Sequence, residues 1–424
     1  MRKFLLAATA CAAPIAFVQP TFAAPRQPGD PVKVSDSLTV DPIIEARLRY
    51  EGVDQPHTAV MTDDASALTL RLRAGAEFRM KRLALLVEGE GTLALDNNFN
   101  AFPFAIADSQ RRPRYPVVPD GSNVELNRIQ LQYKGKAATV TLGRQRINLD
   151  DQRWVGSVGW RQNEQTFDAA RIEAKIGPVS LDGIHAISQR TIFGIDAGPR
   201  QAYSGSFYMG SAGVKLGPVD VKGFAYLLDY GRKEAFFLAN SSKTYGVRAA
   251  GAIPLSSKVK LNLMASYARQ SDWRDNPFDY SADYMAAEAG TSIAGFAVVA
   301  GYEKLGADNN RAVQTPMATL HKFNGWADVF LTTPQTAAYS GLQDYYGGVS
   351  YKFDKVTFVK GLSAGVFHHR FDSDKGGVRY GSEWDAQLGF SIRQFAILAK
   401  YADYNAKGFG VDTRKIWLQA EVKY

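Results

Sequence analysis

KIWLQAEVKY, Lys415–Tyr424, reads as a β-strand with one apolar and one wet face. Ile416, Leu418, Ala420, Val422 and Tyr424 share one side, and Lys415, Trp417, Gln419, Glu421 and Lys423 share the other. That period of two is the pleat of a half-buried strand. An aromatic residue ending the apolar face predicts a last strand that seals a barrel in lipid.

The same alternation recurs through the chain. Leu68, Leu70, Leu72, Ala74, Ala76, Phe78 and Met80 alternate with Thr69, Arg71, Arg73, Gly75, Glu77 and Arg79. Turning Arg71 and Arg73 to the bilayer midplane costs about 2–4 kcal/mol each, which fixes the register with arginines in the lumen. By the same logic Arg47 and Arg49 face inward, alternating with the outward Ala46, Leu48 and Tyr50, Glu88 and Glu90 face inward from 83–95, and Arg128 alternates with Ile129. Arg171 does so with Ile172. Counting such segments predicts an all-β transmembrane antiparallel barrel of about 18 strands, or 16 if the poorly alternating 137–147 and 219–230 are not strands. Short connections such as Lys81-Arg82, Gly177-Pro178, Gly217-Pro218 and Ala294-Gly295 alternate with long polar ones such as 96–123, 148–165 and 305–342. The expectation is short periplasmic turns and long extracellular loops. KIGPV at Lys175–Val179 returns as KLGPV at Lys215–Val219, a hairpin periodicity.

The N-terminal segment fits a secreted chain. Arg2 and Lys3 precede an apolar run from Phe4 to Val18, then Thr21-Phe22-Ala23, which predicts a signal peptide over 1–23. A Pro- and Gly-rich periplasmic lead-in follows over 24–38, and the barrel domain covers 39–424. The single cysteine, Cys11, lies in the leader, so the mature chain has no disulfide or thiolate metal site. Glycine (38) and tyrosine (20) are abundant, as alternating lipid and water faces require. Without Arg2 and Lys3 there are 48 basic against 42 acidic side chains, a net +6, with no basic run to suggest nucleic acid. No HExxH spacing occurs, and no nucleophile elbow lies between a strand and a helix, so neither enzyme, metal site nor cofactor is expected. Sixteen to eighteen strands enclose a channel, and the inward charges predict a wet interior.

Two segments carry candidate selectivity. Arg144–Arg171 holds Arg144, Arg146, Arg153, Arg161 and Arg171 with Trp154, Trp160 and several amides. Guanidiniums bind carboxylates bidentately and flat rings suit sugar faces. The segment is either a constriction folded into the pore or an external loop. As an external loop, its arginines would bridge lipopolysaccharide or pair with Asp150, Asp151, Glu164 and Asp168. The connection 313–346 mixes aromatics with Pro, Thr and Asn, and is either a lid, an inward plug or a surface loop. Arg47, Arg49, Arg71, Arg73, Arg128 and Arg171, opposed by acids that include Glu88 and Glu90, would set a field across the pore or hold the barrel's shape.

GRQRINLDDQRWVGSVGWRQNEQTFDAARIE (Gly143–Glu173) and QTPMATLHKFNGWADVFLTTP (Gln314–Pro334) resemble the alginate export family of outer-membrane barrels. ELNRIQLQY (Glu125–Tyr133), YGSEWDAQLGF (Tyr380–Phe390) and KYADYNA (Lys400–Ala406) fit the same family. The resemblance implies an eighteen-stranded barrel whose arginine-rich pore passes anionic polysaccharide, with Arg144, Arg146, Arg153, Arg161 and Arg171 at the constriction. The expected function is therefore passive diffusion of anionic sugars or polysaccharide across the bacterial outer membrane. The alternatives are a general-diffusion porin for small-solute uptake and a closed structural or adhesive barrel. The expected partners are outer-membrane lipid and lipopolysaccharide, anionic saccharides and periplasmic secretion proteins.

Overall fold

An arginine cannot face hydrocarbon cheaply, and a strand cannot leave its edge unpaired in lipid. Both demands are met by closure. The computed structural model describes residues 29–231, 237–256 and 259–424. The expected leader at 1–23 and the start of the lead-in, 24–28, lie outside the described residues. Among the described residues the wall consists of eighteen antiparallel strands. These are β1 (Leu38–Asp54), β2 (Ala65–Met80), β3 (Leu83–Ala94), β4 (Asn123–Lys134), β5 (Ala138–Gln145) and β6 (Thr166–Ile176). They continue as β7 (Val179–Arg190), β8 (Ala202–Leu216), β9 (Val219–Tyr230), β10 (Ser242–Pro254), β11 (Lys260–Asp272) and β12 (Ser281–Ile293). The remainder are β13 (Phe296–Leu305), β14 (Leu342–Lys352), β15 (Lys360–Asp372), β16 (Arg379–Ile392), β17 (Phe395–Ala406) and β18 (Thr413–Lys423).

Each strand pairs with its neighbours in sequence, and β1 pairs with β18 from Glu45↔Lys423 to Asp54↔Arg414. The quoted last strand is thus the closing seam. Ile416 and Leu418 face outward, while Trp417 and Glu421 are buried inside. The register read from the arginines holds across the next strands: Leu72 is 54% exposed on the lipid side, and Arg71 is fully buried. Residues 32–33 of the lead-in pair back onto Val40 and Thr39.

Turn chemistry separates the two ends. The glycines of the repeated KIGPV and KLGPV segments, Gly177 and Gly217, have φ of 58° and 59°. That left-handed conformation is what two-residue hairpins ask of their first position. The opposite end carries the long loops, and two of these fold inward.

Segments 137–147 and 219–230 alternate poorly in sequence, yet both contain wall strands. In β9 the reason is chemical. Phe224, Tyr226, Leu228 and Tyr230 all point into the barrel and are buried there. An apolar inward face hides the period of two, because both sides of the strand read as hydrophobic. The interior is therefore not wet throughout. An apolar cluster that includes Phe167, Phe207, Tyr230, Tyr284 and Met317, packed with Trp154, lines β6–β13 and runs on through Phe371, Tyr404 and Trp417. The inward loops supply the apolar partners that water would otherwise replace. In β4 a bulge opposite Glu88 and Gly89 turns both Asn127 and Arg128 into the lumen. Simple alternation would place only one of them there.

Leu72→Arg places a charge in the lipid belt and should destabilise the folded protein by about 2–4 kcal/mol, read from denaturant unfolding in phospholipid vesicles. A loss below experimental error would mean that this face does not meet hydrocarbon.

Candidate functional site: two loops clasped in the lumen

The lumen is built on a patch of arginines and carboxylates spanning the seam. Arg47 on β1 and Arg71 on β2 both reach Glu421 on β18, at 3.2 and 3.1 Å. Lys423 lies 3.2 Å from the same carboxylate, and Arg71 also lies 3.2 Å from Glu45. Arg73 binds Glu90 and Glu164. Arg128 is bidentate on Glu88, at 2.6 and 2.8 Å, and Arg146 reaches that carboxylate at 3.2 Å as well as Glu164. Two or more cations thus converge on each of Glu421 and Glu88. Arg71 keeps Nε and Nη1 without a hydrogen-bond partner among the described residues.

The segment after β5 turns back into the barrel and is held by the wall through its backbone. Arg47 donates to the carbonyls of Gly159, Trp160 and Arg161 at 3.1, 3.1 and 3.2 Å. Gln162 N–H donates to Asp120 at 2.8 Å, and its amide donates to Thr69 Oγ1 at 2.8 Å. Glu164 N–H donates to Glu90 at 3.1 Å. Arg161 bridges Glu51 at 2.9 Å and Asp328 at 2.7 Å. Arg153 crosses to the far side, 2.8 Å from Glu303 on β13.

The second inward loop meets the first. Val155 and Met317 form a parallel bridge, and Gly156 N–H donates to the Met317 carbonyl at 2.8 Å. A Cβ on Gly156 would fall 2.2 Å from Thr319 Oγ1, so only glycine allows this approach. Two residues on, Val158 has φ of 52°, an unusual conformation for a β-branched residue, and its N–H donates to Thr319 Oγ1 at 3.0 Å. Trp160 stacks on His321 with centroids 4.3 Å apart and planes 5° from parallel. Arg49 lies over the Trp160 ring at 4.0 Å, as does Lys400 at 4.3 Å. His321 sits between Asp328, 2.8 Å from Nδ1, and Lys400, 2.8 Å from Nε2. Burial works against the Asp328 charge, but Lys415, His321 and Arg161 hold its carboxyl well below the usual range.

The structure brings Arg47, Arg49, Arg71, Arg73, Arg128, Arg146, Arg153, Arg161, Glu88, Glu90, Trp154 and Trp160 into the lumen or its inward loops. Arg171 faces inward on β6 but pairs with Asp182 at 2.6 Å and Glu173 at 3.0 Å, apart from the clasp. Arg144 does not join them. It shares its face of β5 with Leu142, which is 49% exposed on the lipid side, and pairs there with Asp168 at 2.8 Å. Strand β5 continues far enough to keep the alternation, and parity turns this arginine outward. Asp120, Asp328 and Lys400 are central to the clasp and were missed in sequence. Asp328 and Lys400 lie far along the chain from the arginines of β1, β2 and 144–171, Asp120 lies in the loop before β4, and nothing local marks them.

The fold recurs among solved outer-membrane proteins. Over 91% of this chain and 98% of theirs, Pseudomonas aeruginosa OccK9 (OpdG) superposes with TM-score 0.70 at 13% identity, and OpdK with TM-score 0.69 at 11%. Acinetobacter baumannii OccAB4 matches 94% of this chain and all of its own, with TM-score 0.67 and 10% identity. No curated protein matches by sequence.

Arg161→Ala would leave Glu51 and Asp328 buried without their shared guanidinium, a loss of about 3–5 kcal/mol. Hydrogen exchange should then quicken across 156–165 while the wall strands stay protected. Unchanged exchange there would show that the ion pairs do not hold the loop.

The alginate export family model matches residues 43–301. With the closed eighteen-stranded barrel and its porin-like neighbours, this shows that the chain belongs to the alginate export family of bacterial outer-membrane channels.

Proposed function

We propose that the protein is a passive channel for anionic sugars or oligosaccharides, admitted past an arginine-based constriction at the loop clasp. The observation that carries this reading is the crowding of cations on shared carboxylates. Arg47, Arg71 and Lys423 converge on Glu421, and Arg128 and Arg146 on Glu88. With Glu45, Glu90 and Glu164 included, the patch sets six cations, Arg47, Arg71, Arg73, Arg128, Arg146 and Lys423, against five carboxylates, and the remaining positive charge favours an arriving anion. Arg128 and Arg146 are also only partly buried, and guanidiniums are well shaped for carboxylate groups. Trp154 and Trp160 add flat faces nearby. Solute moves down its gradient and no bond is made or broken. The OpdK barrel, at 12% identity, was solved with vanillate, a carboxylate. Arg144 and Asp168 on the outer face offer polar contacts to lipopolysaccharide, and a periplasmic secretion partner would meet the short-turn end.

A closed structural barrel is the second reading. It is favoured by the near-complete burial of Gln162, Asn163 and Glu164 where the clasp fills the lumen. It predicts liposomes that stay impermeable.

In planar bilayers under a salt gradient, the reversal potential should report anion preference. Replacing both Arg128 and Arg146 by Ala should weaken that preference at least about threefold, since two positive charges leave the pore wall while Glu88 and Glu164 stay behind. Cation preference in the unmodified protein, or a double variant with unaltered selectivity, would reject the anion reading.

A further inference from the structure

On the other side of the lumen from the arginine patch lies a cavity between β12–β15 and the inward segment 322–326, with about 740 Å³ of atom-free space including its mouth. Its lining inverts the chemistry of the patch. Asp151, Glu288, Glu303 and Asp344 face it among Tyr284, Tyr346 and Phe367, together with His369 and with Lys322, whose ammonium donates to the Asp151 carbonyl at 3.2 Å. Three of these acids have basic partners. Asp151 lies 3.0 Å from Arg248, Glu303 2.8 Å from Arg153, and Asp344 3.0 Å from His369. Glu288 differs. Its Oε2 accepts from the Tyr346 hydroxyl at 2.7 Å, and its Oε1, fully buried, has no hydrogen-bond partner among the described residues. The residue is 5% exposed.

We infer that this cavity is a binding site for an organic cation, an ammonium or guanidinium group on a small flat carbon frame, whose charge is taken by Glu288. A buried carboxylate oxygen without a donor is costly, and an entering N–H group supplies the missing hydrogen bond in its charge-assisted form. The rings of Tyr284, Tyr346 and Phe367 present π-faces and apolar surface to the carbon frame and the charge. Trp326 packs against Phe367 at 5.6 Å and closes the wall from the loop side. Gly325 lies so close to Glu383 that a Cβ there would meet its carboxylate at 2.3 Å, and Ala327 N–H donates to Glu383 at 2.7 Å. The loop side of the cavity is thus fixed before a ligand arrives, which lowers the ordering cost of binding. The site is separate in space and in charge from the arginine patch and does not require the pore to prefer anions.

The test is calorimetric titration of the full-length, detergent-solubilised protein with benzylamine, protonated near neutral pH, and with benzyl alcohol, its uncharged analogue. Benzylamine should bind saturably and at least about tenfold more tightly than the alcohol. Glu288→Gln should bring the amine down to the level of the alcohol, whereas Ala286→Phe, which fills the cavity, should abolish both. Equal affinities in the unmodified protein overturn the inference. So does an amine affinity unchanged by Glu288→Gln in a variant that keeps its β-sheet circular dichroism and heat-modifiable electrophoretic mobility. Should Glu288→Gln fail to fold, the amine-to-alcohol ratio of the unmodified protein decides alone.

Discussion

An arginine inside a membrane barrel must face away from lipid and must also find a carboxylate. Those two demands organise this protein. The first sets the register of β1 and β2, since slipping either strand by one residue would turn two guanidiniums into hydrocarbon. The second stitches the barrel across its seam. Arg47 of β1 and Arg71 of β2 meet Glu421 of β18, so the first and last strands share a buried ion-pair cluster in addition to their backbone ladder. Removing one partner from such a cluster leaves a desolvated charge behind, which makes the cluster cooperative.

The same cations hold the inward loops. A loop inside a lumen brings backbone carbonyls and N–H groups that need partners. Arg47 takes three successive carbonyls, and Asp120, Glu90 and Thr69 take the donors that follow. The arginines therefore hold the barrel seam and the inward loops together, and a change of charge acts on both. Arg128 and Arg146 share Glu88, and Arg146 also binds Glu164, so a change at either arginine reaches the loop that carries Glu164.

The interior is divided. One arc, around β1–β5 and β18, is basic and ionic. The other, around β6–β13, is aromatic and packs on Trp154 and Met317. At β12–β15, overlapping the end of the aromatic arc, lies an acidic and aromatic cavity. The division follows from which strands carry charge on their inward face.

The eighteen-stranded wall, its register and the inward direction of Arg47, Arg49, Arg71, Arg73, Glu88 and Glu90 could be read from the sequence, because alternation is local and lipid penalises every error. Even the closing strand at 415–424 was legible on that ground. Strand β9 was obscured because Phe224, Tyr226, Leu228 and Tyr230 make both of its faces apolar. The bulge at Asn127-Arg128 was invisible because it depends on the partner strand. The outward turn of Arg144 rested on where β5 ends, which alternation does not mark. That segments 144–171 and 313–346 both enter the lumen and meet at Val155 and Met317 was decided by the tertiary structure alone. So were the roles of Asp120, Asp328 and Lys400, for a charged group finds its partner through space, and residues some forty to more than a hundred and sixty positions apart leave no periodicity to reveal the pairing.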